Sequence, residues 1–153
     1  MLRISKLTDY ATVVMAELAC HGGQCWSASQ VADATGLEPP TVAKVLKMLA
    51  KAGLIESLRG VNGGYRLLQP AESISVADII RAIEGPIALT ECALESGVCT
   101  REHNCRLRGN WRRIGESVER ALQGLSLADL ASTSGPGLRL VARTDRATPK
   151  PIN

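Results

Sequence analysis

The stretch PPTVAKVLKMLAKAGLIESLRGVNGGYRLL, from Pro39 to Leu68, encodes a helix followed at once by a hairpin. Pro39 and Pro40 suit the opening turn of a helix, where proline lacks only an amide that would have been unpaired anyway. Val42, Val45, Leu46 and Leu49 then recur at the spacing of one helical face, and Gly53 closes the run after about Ala52. Lys44, Lys47 and Lys51 stand on the opposite side, spaced i, i+3, i+7. A solvated lysine face occurs on many helices, so the cations acquire meaning only from the hairpin beside them. Residues 54–58 and 65–68 read as two strands around Arg59-Gly60-Val61-Asn62-Gly63-Gly64, a turn rich in residues that tolerate positive φ. A basic hairpin directly after a cationic helix has the form of the wing of a winged helix. The helix then lies in the major groove, and Arg59 reaches phosphate or the neighbouring minor groove.

The residues before this stretch fit the same outline. Ser27 and Gln30 match a capping box that starts a short helix ending near Thr35, and Gly36 turns the chain into the cationic helix. Short helix, glycine turn and longer helix make a helix-turn-helix. Upstream, Ala11, Val14, Met15, Leu18 and Ala19 give residues 9–20 the period of an amphipathic helix stopped by Gly22-Gly23.

Downstream, Ser75 and Asp78 resemble a second capping box, opening a short helix that Gly85-Pro86 ends. Three cysteines follow within fourteen residues: Cys92, Cys99 and Cys105, spaced C-x6-C and C-x5-C. Thiolates a few residues apart on a glycine-containing segment can wrap one metal centre, and iron-sulfur clusters are held mainly by such ligands. The spacing is looser than the C-x2-C knuckles of structural zinc sites, which puts zinc second. Unligated or disulfide-forming cysteines are the plain alternative. Cys20 fits a buried helix face and Cys25 sits beside Trp26, so both are read as structural. Along a longer helix from about Cys105 to Gln123 and just past it, Trp111, Ile114, Val118, Ala121 and Leu125 recur at alternating intervals of three and four, with Leu122 beside Ala121. That seam could cover the core of its own subunit. In a chain this short, however, it better suits a two-fold partner, with Trp111, Ile114, Val118 and Leu122 at the interface.

Composition agrees with a small helical domain. The chain has 153 residues, no Phe, and 45% hydrophobic residues, so its core must be aliphatic. The net charge of +3 divides into +2 over residues 1–69, −4 over 70–105, +2 over 106–131 and +3 over 132–153. The expected division is a DNA-binding unit over residues 1–69, the cysteine loop and dimerisation helix over 70–131, and a disordered tail over 132–153. No apolar run is long enough for a bilayer, and charges at the N-terminus exclude a signal peptide, so a cytoplasmic protein is expected. In a reducing compartment an odd number of cysteines points to ligands, redox sites or plain core residues rather than a disulfide framework. There is no phosphate loop, dinucleotide fingerprint or nucleophile elbow, and neither histidine has a spaced catalytic partner, so an enzyme is not expected.

Arg59-Gly-Val-Asn-Gly-Gly-Tyr65-Arg-Leu67 resembles the R-G-x-x-G-G-Y-x-L wing of the Rrf-two family of bacterial regulators. Leu7-Thr8-Asp9-Tyr10-Ala11 is similar to its opening helix, Lys51-Ala-Gly-Leu-Ile55 to the end of its recognition helix, and Cys92, Cys99 and Cys105 to its cysteine loop. Cys105-Arg-Leu-Arg-Gly-Asn-Trp111 resembles the start of its dimer helix, especially in members that regulate SUF iron-sulfur assembly. The resemblance covers about residues 1–131. It implies a mainly α winged helix-turn-helix protein with a two-stranded wing and a long C-terminal dimerisation helix. It further implies a homodimeric repressor whose binding to double-stranded operator DNA is controlled by an iron-sulfur cluster, [2Fe-2S] or [4Fe-4S], at iron-sulfur assembly genes. DNA contacts fall to Thr41, Lys44, Lys47, Lys51 and Arg59. IscR-like members place a histidine three residues after the last cysteine, where this chain has Arg108. The fourth ligand is then Asp9, which in NsrR-like members comes from the partner subunit, or His103 within the loop. An NsrR-like nitric oxide sensor is the alternative in the same class. An iron-sulfur electron carrier or cluster-transfer protein is the alternative outside it.

Overall fold

The computed structural model describes residues 3–90 and 107–132. It is mostly helical, with one small antiparallel sheet, in a winged helix-turn-helix arrangement. Helix α1 spans Lys6–Cys20, α2 Ala28–Thr35 and α3 Pro39–Lys51; strands β1 and β2 span Ile55–Leu58 and Gly64–Leu67. A single 3-10 turn at Ala71–Ser73 leads to α4 (Val76–Glu84), and beyond the cysteine segment come α5 (Arg108–Gln123) and α6 (Leu127–Ala131).

Capping explains most of these boundaries. The α1 helix starts three residues before the apolar period does, because the Ser5 side chain accepts a hydrogen bond from the Thr8 amide. Reciprocal capping boxes open α2 at Ser27 and Gln30 and α4 at Ser75 and Asp78, as their spacing indicates. Gly36 ends α2 in the left-handed conformation at φ 69°. A third box, Ser126 with Asp129, opens α6. That short helix adds to the elements expected from periodicity, and its S-x-x-D signal is present in the sequence.

One aliphatic core joins α1, α2, α3, α4, β1 and α6. Val42, Val45, Leu46 and Leu49 of α3 are fully buried, against Ala11, Val14, Met15 and Leu18 of α1. Ile74, Ile79 and Leu127 complete the same cluster. Each such side chain contributes about 1.5–3 kcal/mol on leaving water, so this apolar packing carries the fold in a chain without phenylalanine. Cys20, expected on the buried face of α1, is instead exposed. The buried stripe ends at Leu18, and the last turn rotates residue 20 toward solvent. Cys25 is half-buried beside Trp26.

The hairpin pairs Ile55 with Leu67, Glu56 with Arg66, Ser57 with Tyr65 and Leu58 with Gly64. The opposed Glu56 and Arg66 form an ion pair at 2.6 Å. A third chain segment supports the wing on its other edge. Trp26 and Tyr65 exchange backbone hydrogen bonds of 2.9 and 2.8 Å, and His21 stacks on the Trp26 ring at 3.6 Å between centroids. This approach explains Gly64, because a Cβ there would stand 2.6 Å from the carbonyl carbon and oxygen of Trp26. Gly64→Ala is expected to push β2 off Trp26. With two hydrogen bonds at about 1 kcal/mol each, the loss should reach about 2 kcal/mol in denaturant unfolding. Native stability in this variant would mean that the wing does not depend on the Trp26 edge.

Candidate DNA-binding surface and metal centre

Burial of one α3 face forces the other outward. Lys44, Lys47 and Lys51 are all exposed, Thr41 is half-buried in the first turn, and Arg59 is exposed where the hairpin turn begins. Lys51 also lies in the last turn of α3, where a cation complements the carbonyl end of the helix. The turn beyond Arg59 carries Val61 fully in solvent. Gly60 at φ 113° and the tight approach of Gly63 to the Leu58 and Gly60 carbonyls hold it compact. The assembly presents cations from a helix and a loop with no carboxylate paired to them among the described residues. Such a surface suits a polyanion whose phosphates and groove edges are read together.

Asp9 lies in the first turn of α1, exposed, with no hydrogen bond or ion pair to its carboxylate among the described residues. A carboxylate there complements the helix dipole and also remains available to a metal. Its neighbour Thr8 is buried and donates to Glu84 Oε1 at 2.5 Å, while the Ser5 amide donates to the same oxygen at 3.0 Å. These two bonds hold the Glu84 carboxyl below its ordinary pKa. Glu84 is the last residue of α4, so the turn carrying Asp9 is fastened beside the point where the chain departs for the cysteines. Cys92, Cys99, Cys105 and His103 themselves lie outside the described residues. Among the described residues no group of three or more candidate ligands gathers. The donor types nevertheless suit an iron-sulfur cluster: three closely spaced thiols in sequence and a carboxylate that is uncommitted among the described residues.

The chain resumes in α5, which packs on α4. Glu119 of α5 accepts from Arg81 Nε at 2.9 Å and from Arg81 Nη2, and Arg81 also donates to Asp78 at 2.8 Å. Burial pushes the Asp78 carboxyl up, but hydrogen bonds from Ser75 and the charge of Arg81 hold it below its usual value. The seam residues divide. Trp111 and Ile114 are exposed at 41% and 46%, whereas Val118 and Leu122 are half-buried. Asn110, Arg113, Ile114, Ser117, Val118 and Ala121 line an open hollow of about 680 Å³ along this face.

A winged helix with an exposed cationic helix and wing has the form of a DNA-binding transcriptional regulator. The chain belongs to the Rrf2 family, whose sequence profile, described as an iron-dependent transcriptional regulator, matches residues 4–133. It is 33% identical over 130 residues to Protein rrf2 of Nitratidesulfovibrio vulgaris, covering 84% of this chain and 87% of that one. Among solved structures it is similar to CymR, the global cysteine regulator of B. subtilis, with 34% identity, TM-score 0.66, and coverage of 86% and 97%. It is also similar to IscR of T. potens, with 30% identity, TM-score 0.62, and coverage of 84% and 85%. No helix among the described residues is long and apolar enough to cross a membrane.

Proposed function

We propose that the protein is a homodimeric, sequence-specific repressor whose operator affinity is set by an iron-sulfur cluster, and that it controls iron-sulfur assembly genes of the SUF type. The observation that carries the DNA-binding part is the exposed cationic face of α3 running on to Arg59, with no carboxylate paired to it among the described residues. The cluster part rests on the cysteine trio, on the iron-dependent description of the family and on similarity to an IscR. Cys92, Cys99 and Cys105 supply three ligands, and Asp9 supplies a fourth that is harder and weaker for iron than a thiolate. A centre completed by such a ligand is labile, and lability gives a sensor its response. The cluster supplies redox- and iron-dependent occupancy. The chain couples occupancy to DNA by ordering a segment rooted at α4, whose end grips the cap of α1.

Two cations test the surface. Arg59→Ala and Lys44→Ala are expected to weaken binding to an operator selected from random DNA while leaving the oligomeric state unchanged. If Arg59 touches phosphate, affinity falls about equally on all sequences and the salt slope drops by about one. A base contact instead costs about 1–3 kcal/mol at one position. Native affinity and slope in both variants would remove these residues from the DNA face. A salt-dependent operator shift also separates a regulator from an electron carrier, which gives none.

A further inference from the structure

A cleft of about 390 Å³ lies where the first turns of α1 meet the first turns of α3, lined by Lys6, Leu7, Tyr10, Pro40, Thr41 and Lys44. Leu7 and Tyr10 line it and also pack on the core. Its rim has two exposed lysines, neither paired with a carboxylate among the described residues. Tyr10 and Thr41 also line it, and neither hydroxyl has a hydrogen-bond partner among the described residues. Lys6 is the first residue of α1, where a cation opposes the helix dipole. Helix stability therefore gives no reason for a lysine there.

We propose that this cleft seats one phosphodiester of the DNA backbone, with Lys6 and Tyr10 of α1 as its ligands beside Thr41 and Lys44 of α3. The proposal rests on the DNA-binding function proposed for α3 and extends it to α1. Two ammonium groups and two hydroxyls offer charge and directed donors to the anionic oxygens of a phosphate. The cleft lies at the N-terminal end of α3, a helix of thirteen residues and so about 20 Å long, whose other end leads into the hairpin. A major groove about 12 Å wide is walled by phosphates on both sides. Contacts at the start of α3 therefore fix its register in a way that Arg59 alone does not.

The test uses the full chain and a mixed-sequence duplex several turns long, titrated by fluorescence anisotropy between roughly 50 and 200 mM salt. Lys6→Ala is expected to bind about fivefold more weakly at the low end and to lower the salt slope by about one. Lys6→Arg should recover the slope, and Tyr10→Phe should weaken binding with the slope unchanged, since it removes a neutral donor. Melting temperatures at or above the native value would confirm folding, because removing a cation from the start of α1 relieves the helix dipole. Native binding by Lys6→Ala and Tyr10→Phe, alongside weakened Arg59→Ala, would overturn the α1 seat and leave the DNA-binding function standing. Native binding by Lys6→Ala, Lys44→Ala and Arg59→Ala together would overturn both.

Discussion

Alanine at Cys92, Cys99 or Cys105 is expected to yield a colourless protein from anaerobic purification, with visible absorbance, bound iron and bound sulfide all lost together. A cluster commonly takes four protein ligands, and removing a thiolate leaves too few soft donors to retain it. Asp9→Ala should behave differently, forming a cluster that bleaches faster in air. Cys20→Ala and Cys25→Ala should leave the spectrum native. A colourless native protein that binds zinc would replace the cluster with a zinc site. A damaged spectrum in His103→Ala with a native one in Asp9→Ala would move the fourth ligand into the loop. Mixed dimers separate the two routes by which Asp9 can act. A Cys92→Ala chain paired with an Asp9→Ala chain retains one complete site only if the carboxylate comes from the partner subunit. Native air stability in the mixed dimer is therefore expected, and rapid bleaching would place Asp9 with the cysteines of its own chain.

Val118→Glu has the second large expected effect. Val118 is half-buried between the exposed Ile114 and the half-buried Leu122 on the outer face of α5. In a dimer across that face the new carboxylate would be buried without a partner, a change of about 3–5 kcal/mol. Sedimentation should show monomer, and operator binding should fall with it, because a two-fold operator is read by paired recognition helices. A stable dimer from Val118→Glu would assign the stripe to its own subunit. The partly exposed position of Val118 makes that outcome easy to tell from unfolding, since the monomer core of α1, α3 and α4 does not depend on it.

The fold is legible in the sequence wherever local rules and burial agree. The α3 stripe of Val42, Val45, Leu46 and Leu49 is buried throughout, and its lysines face out, because a single helical period determines both. The capping boxes at Ser27 and Ser75 place helix starts to the residue. Long-range packing is harder to read. No local pattern in the sequence announces that Trp26 edges the hairpin or that Leu127 enters the core, since both depend on partners far along the chain. Cys20 departs from its expected burial because it stands two residues beyond Leu18, about 200° round the helix from the buried stripe. Of the site, the cations on α3 and at Arg59 can be read from spacing and turn chemistry, whereas Lys6 and Tyr10 gain a role only once α1 is folded against the start of α3.

Glu84 pairs with Ser5, 79 positions away, and with Thr8, so one carboxylate closes the intervening chain into a loop. Every residue proposed to contact DNA lies inside that loop, and every residue proposed to hold iron, apart from Asp9, lies outside it. Slack or tension entering at Gly85 therefore meets the Glu84 anchor before it meets the buried contacts that α4 makes with α1 and α3. The anchor is also the stopper of a helix, because Ser5 is the residue that caps α1. Drawing Glu84 away would loosen the turn holding Lys6, Asp9 and Tyr10 before it disturbed the core beneath. Acid acts on the same knot with a defined sign. The folded pKa of Glu84 is depressed, so its stabilising contribution is present above its unfolded pKa and is lost as pH falls through the folded one.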